Sequence, residues 1–498
     1  MPLKNRLYNF LRQKPVFLFL LPAFFVLHGY TRNYNTIAVA DAVGLLLLYI
    51  AASLVLTAIA WFFYRDMLKA AFIAVLLMSF QLFFGNIQDA LTTISAQGFI
   101  SKYRFIIPVS IIIFTVIVIL TKKASTSLLK ISAYLNVLLL VLLAMETGSL
   151  IIKAVNGKKK SLLNTALNDV AINSVHRKPD IYLILLDQYA GASALKEVFQ
   201  FDNTAFETAL GSRGFHIVKN SKSNYNLTPF SMASLLNMNY LSTEMGEKRN
   251  LNVGYSYETI RNSCVIHFLE NNGYEFYNYS LFDFPHKPAY EYKGFLPYGT
   301  KLITASTFTG RVMRDLRSSV LEGKLGSTSL RERIAYEYLH FNDTIFKWTR
   351  DITANKTGKT RFIYSHLMLP HFPYYFDSIG NSLPIEKLSG FRKTTASDYI
   401  GYLQYGNKKI LELVDHILNT SPGPPVIMLL SDHGFRNPDK KADRKYDFMN
   451  LNAIYLPAKN YSLFYDSMSN VNQFRALFNS CFDLKLPLLI DSTTDLWD

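Results

Sequence analysis

Cysteine is scarce in this sequence. The 498 residues contain two, Cys264 and Cys481, and they are not spaced as a Cys-x-x-Cys pair. This scarcity excludes a zinc site built from sulfur ligands. The sequence does not show whether the two thiols lie close enough to form a disulfide, so their pairing stays open.

Acidic residues are also in short supply. There are 37 Asp and Glu residues against 52 Lys and Arg, which gives a formal net charge of +15. The basic residues of the C-terminal part are scattered, without zinc-finger spacing or a basic helix, so we expect no nucleic-acid partner. An anionic substrate or a membrane surface accounts better for the excess of positive charge.

Long hydrophobic runs are crowded into the first third of the chain. A membrane-spanning helix needs about 20 apolar residues, with about 17 as the lower end. Two of the candidate runs are shorter than this and depend on their flanking residues. No small-residue cleavage site follows the first run, so we interpret it as a retained anchor rather than a signal peptide. The five candidate spans are Val16–Tyr30, Ile37–Tyr64, Ala70–Phe84, Phe105–Leu120 and Ile131–Ile152.

Basic residues between the spans predict their orientation, because cytoplasmic connections are rich in Lys and Arg. The N-terminal tail and the second and fourth connections carry most of them, at Lys4, Arg6, Arg12, Lys14, Arg65, Lys69, Lys122, Lys123 and Lys130. An odd number of spans then places everything after Ile152 outside the cytoplasm. The cluster Lys158–Lys160 argues against this orientation, unless it contacts anionic headgroups.

These patterns predict an integral protein of the inner or cytoplasmic membrane. A five-helix transmembrane domain occupies residues 1–155, and a juxtamembrane connector occupies residues 156–178. Residues 179–498 are expected to form a periplasmic or extracellular catalytic domain. Within that domain, Asp283–Leu330 is predicted to be irregular and to hold a substrate loop or lid.

Apolar runs that end in polar residues predict a buried parallel sheet in the outer domain. They are Asp180–Asp187, Phe362–Ser365 and Val426–Leu430. Open α/β sheets carry their chemistry at the carboxyl ends of the strands. Asp187 follows one run, and Asp432 and His433 follow another, with Gly434 expected to give the backbone freedom to turn. Two carboxylates and an imidazole suit zinc or manganese, although Asp432 and His433 alone also fit a solvated loop.

A hydroxyl at a predicted helix start supplies a candidate nucleophile. Thr228 is expected to be the N-cap, with Pro229 as the first helical residue. A helix N-terminus binds phosphate, and a nearby metal lowers the pKa of a hydroxyl for attack. The alternative is a well-capped helix without further function. Ser231 is the rival hydroxyl, which can cap the helix or line the pocket.

Two histidines follow the strand Phe362–Ser365. His366 and His371 lie on either side of Pro370, and Pro373 follows, so we expect an extended loop. His371 is the preferred functional residue, because the prolines fix its position. It is predicted to bind a phosphate oxygen or to act as a general acid, while His366 is either structural or a substrate contact.

The ordered set of these motifs resembles the alkaline phosphatase superfamily, in its sulfatase-like branch. The membrane-bound phosphoethanolamine transferases and the lipoteichoic acid synthases are similar in layout. The resemblance is carried by the strand ending in Asp187, by Thr228, by HLMLPHFPY at 366–374 and by SDHG at 431–434. It implies an N-terminal five-helix transmembrane bundle followed by an α/β sulfatase-like domain with a central, mostly parallel sheet.

The resemblance also implies roles for individual residues. Asp187, Asp432 and His433 would bind one divalent ion, zinc or manganese, with Thr228 as fourth ligand and as the nucleophile that forms a phospho-threonine. His371 would contact the transferred group. Independently of the resemblance, His366 and Ser231 are candidate substrate contacts. Two departures are evident: the two transferase families usually have Glu where Asp187 stands, and Thr228–Met232 lacks the Cys-x-P-x-R signature of formylglycine sulfatases.

The function implied is a transferase that moves a phosphorylated headgroup from a phospholipid donor. Phosphoethanolamine or glycerol phosphate would pass to an envelope glycan or lipid acceptor. Two alternatives stay open: a membrane-bound phosphodiesterase or phosphatase of the same superfamily, and a non-catalytic envelope protein. A free phosphorylated headgroup would favour the hydrolase, and the lack of tightly held metal would favour the non-catalytic protein.

Overall fold

A computed structural model describes residues 3–34, 37–94, 98–123, 127–156, 171–172, 178–241, 253–289, 298–355, 358–390, 394–436 and 443–496. The cluster Lys158–Lys160 and most of the predicted connector lie outside the described residues. Contacts divide the described residues into two compact units. The first unit lies within 1–159 and 292–317, and the second within 160–291 and 318–498.

The N-terminal part of the first unit is helical, and an apolar helix overlaps each of the five predicted spans, although two of these helices begin one or two residues later than predicted. Among the described residues, four helices, α3 to α6, are long and apolar enough to cross a membrane. The helix at the first predicted span, α2, has 16 residues and contains Pro22. The helices are α1 Leu3–Gln13, α2 Phe17–Arg32, α3 Val39–Tyr64, α4 Met67–Ile94, α5 Tyr103–Lys123 and α6 Ser127–Asn156.

Helix α2 runs parallel to α6 along most of its length. At one end, the amide of Asn136 on α6 donates to the carbonyl oxygen of Lys14, at 2.9 Å. At the other end, Lys153 of α6 donates to the carbonyl oxygen of Thr31, at 2.7 Å. Helix α2 therefore lies beside the part of α6 between Asn136 and Lys153.

The predicted irregular character of Asp283–Leu330 is wrong, because helices α12 and α13 and the start of α14 lie within it. Its aromatic, Gly, Ser and Thr content hid a helical pattern. The remaining helices are α7 Ala192–Phe199, α8 Thr204–Ser212, α9 Thr228–Asn237, α10 Val253–Arg261, α11 Cys264–Asn271, α12 Lys301–Thr304, α13 Phe308–Leu321, α14 Thr328–Ala335, α15 Glu337–Ala354, α16 Ile385–Leu388, α17 Ala396–Thr420 and α18 Gln473–Phe482. Short 3₁₀ turns lie at Tyr298–Thr300, Arg444–Asp447 and Asn470–Asn472.

A mixed sheet forms the centre of the second unit. Its strands are β1 Ile181–Leu186, β2 His216–Ile217, β3 Glu275–Tyr279, β4 Arg361–Leu367, β5 Val426–Ser431 and β6 Asn452–Tyr455. They lie in the order β2-β6-β5-β1-β4-β3. Strands β3, β4, β1 and β5 are parallel neighbours, whereas β6 is antiparallel to both β5 and β2.

Alternate residues of the central strand β1 enter two different apolar layers. Leu183 and Leu185 belong to one core cluster, which also holds Phe268 of α11 and Phe478 of α18. Ile184 and Leu186 belong to the other, which α15 and α17 cover. Because both faces of β1 are buried, its sequence is a continuous apolar run rather than an alternating one.

The two cysteines lie in the second unit and are both free thiols. Cys264 is buried at the start of α11, and Cys481 is partly buried in α18. Burial raises the pKa of each thiol to about 12. The open question of a disulfide is therefore answered: the two residues do not pair in this structure.

Candidate active site

Strand register brings three predicted ligands to one edge of the sheet. Leu186 of β1 is level with Ser431 of β5, so Asp187 and the Asp432–His433 pair leave neighbouring strands at the same height. One ligand atom from each of the three side chains lies within 4.8 Å of the others. All three side chains are buried. The apolar strand runs thus place two carboxylates and an imidazole together, as predicted.

Two oxygens of this cluster have no hydrogen-bond donor. Asp187 Oδ1 and Asp432 Oδ2 are buried and accept no hydrogen bond within the described part of the chain. The other oxygen of Asp432 accepts the backbone N–H of Gln188, at 3.0 Å. A buried carboxylate oxygen without a partner is costly unless a cation compensates it. The two unpaired oxygens therefore fit a bound cation.

The imidazole of His433 is oriented for the same cation. Its Nδ1 lies 2.8 Å from the carbonyl oxygen of Gly434, which can only accept, so Nδ1 carries the proton. Its Nε2 then has a free lone pair and lies 3.2 Å from Asp432 Oδ2. Burial lowers the pKa of His433, which keeps the ring neutral. This donor set suits zinc or manganese.

The charge state of Asp187 follows from its neighbours. Burial alone would raise the pKa of this carboxyl group, but the neighbouring His371 and the hydrogen bond from His366 hold it below its ordinary value. Asp187 is therefore ionised at neutral pH, as a metal ligand must be.

Thr228 lies beside the cluster, although its predicted place in the helix is wrong by one residue. Helix α9 begins at Thr228, and the extended residue Leu227 is the N-cap, without a side-chain acceptor. The Thr-Pro pattern predicted that a helix starts here, but it did not predict whether Thr228 would be the N-cap or the first helical residue. Thr228 Oγ1 lies 3.3 Å from His433 Nε2, within the group of predicted ligands.

Ser231 and Ser431 hold the turn that carries the ligands. The Ser231 hydroxyl, one turn into α9, donates to the carbonyl oxygen of Asp432. Ser431 donates to the carbonyl oxygen of His433, at 2.6 Å, and accepts the backbone N–H of Tyr189, at 3.0 Å. Ser231 is fully buried, so in this structure it contacts the ligand backbone rather than the solvent side of the site.

His366 lies behind Asp187, inside the sheet. It is fully buried on β4, and its Nε2 faces Asp187 Oδ2 at 3.4 Å. The hydroxyl of Tyr364 lies 3.1 Å from its Nδ1. With Tyr364 as donor to Nδ1, the proton of the ring is on Nε2 and points to Asp187. His366 thus orients a predicted ligand, and the structure leaves it no exposed surface for substrate.

The loop that carries His371 is not extended, so that prediction is wrong. Residues 370–373 form a bend, and the peptide bonds before Pro370 and Pro373 are both cis. Proline fixes its own φ but accepts either peptide isomer, so the sequence pattern does not determine the path of the loop. His371 is partly buried, its Nδ1 lies against the carbonyl oxygen of Phe372, and it is one of the histidines that stabilise ionised Asp187.

The reason for glycine at position 434 differs from the one predicted. Its backbone does not adopt the left-handed conformation. A Cβ atom added there would lie 2.2 Å from the carbonyl oxygen of Tyr446 and 2.4 Å from that of Met449. Glycine is required because the segment 446–449 passes directly over the turn.

Several residues that shape the site gave no local signal in the sequence. Asn450 and Asn470 both donate to the carbonyl oxygen of Ser431, at 2.6 and 3.1 Å. Gln188 has a φ of 64°, and this conformation accompanies the N–H bond to Asp432. Asn450 lies 19 residues after Ser431, and only the folded sheet brings them together.

No model of a protein family matches the chain, and no curated protein matches it either. Among solved structures, the C-terminal periplasmic domain of EcEptC from Escherichia coli, in complex with Zn, is 12% identical with a TM-score of 0.37. That similarity covers 62% of this chain and 84% of the EcEptC chain.

Two further structures are similar at the same level. The soluble domain of lipooligosaccharide phosphoethanolamine transferase A from Neisseria meningitidis is 11% identical, with a TM-score of 0.40, over 63% of this chain and 90% of that one. A Bacteroides fragilis protein described as a sulfatase, yidJ, is 14% identical, with a TM-score of 0.40, over 63% and 76%. These are the protein classes named by the sequence resemblance. Because the sequence identities and TM-scores are this low, the function has to be inferred from the site itself.

Proposed function

We propose that this chain is a metal-dependent transferase of phosphorylated lipid headgroups. It would take the headgroup from a phospholipid, carry it on Thr228 and pass it to an envelope glycan or lipid. One observation carries the proposal: two buried carboxylate oxygens without donors and a neutral imidazole lie beside the Thr228 hydroxyl. A cluster used only for stability would not leave one oxygen of each buried carboxylate without a donor.

The residues that would hold the metal ion are Asp187, Asp432 and His433, with Thr228 as the fourth ligand. Three charged or imidazole ligands and one hydroxyl suit zinc or manganese. When bound, such an ion supplies positive charge for the transferred group and lowers the pKa of a neighbouring hydroxyl. His366 and the backbone N–H of Gln188 keep the two carboxylates in place for it.

The reaction proposed for Thr228 is a double displacement. Its oxygen forms a bond to the donor phosphorus, and the bond from phosphorus to the diacylglycerol oxygen breaks. The Thr228 hydroxyl loses a proton, and the diacylglycerol oxygen gains one from His371, the proposed general acid. An acceptor hydroxyl then attacks the phospho-threonine and regenerates the threonine. The positive end of the α9 dipole favours negative charge on the transferred group.

A membrane location fits a lipid donor. Helices α3 to α6 are long and apolar enough to cross a membrane, and we propose α2 as a fifth span beside α6. The charge of the connections then puts residues 179–498 outside the cytoplasm. The enzyme and its donor would be held at the same surface of the inner membrane.

Intact-mass analysis of the purified chain with a mixed lipid extract tests the proposal. We expect a covalent adduct that does not form when a chelator is present and does not form in Thr228→Ala. Its mass would identify the headgroup. Thr344→Ala is the matched control, because that hydroxyl donates to the carbonyl oxygen of His340 within α15, outside the site.

Each outcome bears on the proposal. No adduct and no bound metal in the untreated protein would contradict it and favour a non-catalytic protein. Bound metal with release of a free phosphorylated headgroup and no modified acceptor would contradict transfer and establish a hydrolase. An adduct that persists in Thr228→Ala would remove Thr228 as the nucleophile.

A further inference from the structure

Residues 298–317 belong to the first unit, although they are far in sequence from α1–α6. The backbone N–H of Gly85 on α4 donates to the carbonyl oxygen of Ser306, at 2.7 Å. The side chain of Gln81, one turn earlier on α4, donates to Thr309 Oγ1, at 2.7 Å. Hydrogen bonds between α4 and this segment show that it is packed closely on the apolar helices.

Charged and aromatic contacts fix the first half of α13 on the same helices. Arg311 forms an ion pair with Asp89 of α4, at 2.7 Å. The hydroxyl of Tyr103, the first residue of α5, donates to Asp315, at 2.7 Å. The ring of Phe308 packs against Phe80 and Phe84, with centroids 5.3 and 5.0 Å apart. One face of α13 is therefore fully engaged.

These contacts, except those of Phe80 and Gln81 in the middle of α4, lie at one end of the helix bundle. Gly29, near the end of α2, packs on Ile303, and Gly299 lies close to Asp41 near the start of α3. Gly85 and Asp89 lie in the last third of α4, and α5 begins at its contact residue. Successive helices run in opposite directions, so the end of α2, the start of α3, the end of α4 and the start of α5 lie on the same side of the bundle. This is where the apolar stretches stop, which is the level of the lipid headgroups.

The opposite face of α13 exposes apolar and basic residues side by side. Met313 and Leu316, three residues apart, are 70% and 42% exposed. Arg314 and Arg317, also three residues apart, form the adjoining stripe, and the Arg314 side chain is 62% exposed. Residues at this spacing are neighbours on a helix surface. An apolar stripe beside a basic stripe is typical of helices that lie in a membrane interface.

We propose that α13 is a lipid-binding interfacial helix of this protein. Met313 and Leu316 insert at the boundary between headgroups and acyl chains, and Arg314 and Arg317 bind the phosphates of anionic phospholipids. The occupant of this face is the bilayer itself, because the helix is fixed where the apolar stretches end and because its charge complements lipid phosphate. The proposal does not depend on metal binding or on transfer at Thr228.

A fluorescent label at position 313 tests the depth of the helix. The full chain with Met313→Cys would be labelled with a thiol-reactive fluorophore and placed in lipid nanodiscs. Val198→Cys on α7 is the control, since Val198 is 38% exposed, and the unsubstituted chain measures labelling of Cys264 and Cys481. We expect nitroxide lipids to quench the label at 313 at least about twofold more than the label at 198. Aqueous iodide should reach 313 less than 198.

Removal of the basic stripe tests the phosphate contacts. In mixed micelles, Arg314→Gln/Arg317→Gln should weaken binding of phosphatidylglycerol roughly thirtyfold, since each cation near a lipid surface contributes about 1 kcal/mol. Lys347→Gln/Arg350→Gln removes the same charge from α15 and should change binding little. The Arg311–Asp89 pair is kept, whereas the exposed Arg314–Asp315 pair is lost, so the melting temperature in detergent is measured for both double variants to verify that the fold is intact.

Two results would overturn the interfacial helix. One is a label at 313 that iodide quenches and nitroxide lipids do not. The other is an equal loss of lipid binding in the two double variants, which would indicate only a general effect of net charge. Either result leaves the proposal for Thr228 standing, because metal binding by Asp187, Asp432 and His433 is measured separately.

Discussion

At the scale of single residues, the predicted ligands and the residues that place them come from different kinds of sequence signal. Asp187, Asp432 and His433 are predictable because each follows a continuous apolar run, and parallel strands end at one edge. Gln188 and Asn450 are not, because their bonds to the ligand segment depend on strand neighbours far away in sequence. Gly434 was expected to give the backbone freedom to turn, whereas in the structure glycine is needed there because the segment 446–449 packs against it.

Gly434 offers a test of how closely the turn must be packed. In Gly434→Ala, the new methyl group would meet the carbonyl oxygens of Tyr446 and Met449, so either that segment or His433 must move. Overpacking of this kind costs roughly 1–3 kcal/mol. We expect a lower melting temperature and weaker zinc binding, measured by competition with a fluorescent chelator.

A matched glycine separates this effect from the general one. Gly211 lies within α8, and a Cβ atom there would meet nothing within 4 Å. Gly211→Ala should be neutral or stabilise the chain by about 0.5–1 kcal/mol, because alanine favours a helix. Equal zinc affinity in Gly434→Ala and the unsubstituted chain would show that the turn adapts without moving His433.

At the scale of secondary-structure elements, the apolar pattern predicted which strands exist better than it predicted the residues at which they begin and end. Strand β5 was expected at Val426–Leu430 and extends to Ser431, and β4 was expected at Phe362–Ser365 and covers Arg361–Leu367. The extra residues include His366, which therefore faces Asp187 from inside a strand and not from a loop. A boundary error of one or two residues thus changed the role assigned to a side chain.

Helix α17 leads into β5 and is fixed at its start by a capping box. Thr395 Oγ1 accepts the N–H of Asp398, and Asp398 accepts the N–H of Thr395, at 2.8 Å. Lys387 also donates to the same carboxylate, at 2.7 Å. Burial opposes ionisation of Asp398, but the bonds from Lys387 and Thr395 hold its pKa below the ordinary value.

The stabilisation from Asp398 should depend on pH in a defined direction. A carboxyl group with a lowered folded pKa stabilises the fold above its unfolded pKa of about 3.9 and loses that effect as pH falls through the folded value. Asp398→Asn should therefore lower the free energy of unfolding by about 1 kcal/mol, equally at pH 7 and pH 5. The melting temperature should fall with it. The difference from the unsubstituted chain should shrink below about pH 4.

Thr395→Ala is the control for this pH dependence. It removes the hydroxyl acceptor at the start of α17 but keeps Asp398 and its bonds from Lys387. Its penalty should vary less with pH than that of Asp398→Asn. A penalty for Asp398→Asn that stays constant down to pH 3 would show that the charge of Asp398 contributes nothing to the helix start.

At the scale of the whole molecule, the sequence predicted the apolar helices but not how residues 298–317 pack on them. Hydrophobic runs identify helices by composition alone. The packing of this segment instead depends on two small residues, Gly29 and Gly85, at which an added Cβ atom would lie 2.7 Å from Ile303 and 2.3 Å from the Ser306 oxygen. Such contacts join distant parts of the chain and leave no periodic pattern.

The same contacts bear on the topology of the membrane part. The segment touches the connection between α2 and α3 at Ile37 and the helix ends on either side of the connection between α4 and α5, and the charge pattern predicts that both connections are outside. With a cytoplasmic N-terminal tail, this side is outside only if the number of spans is odd, as in the proposed topology with the 16-residue helix α2 as the fifth span beside the four longer helices.

Labelling of single cysteines in membrane vesicles would decide this topology. Lys102→Cys, between α4 and α5, should react with an impermeant maleimide in right-side-out vesicles, and Lys122→Cys, at the end of α5, should react only in inverted ones. Both side chains are exposed, and the unsubstituted chain gives the background from Cys264 and Cys481. Reversed labelling would place residues 298–317 on the cytoplasmic side. The site at Thr228 could not then reach an envelope acceptor, and the proposed transfer would be excluded even if metal binding were found.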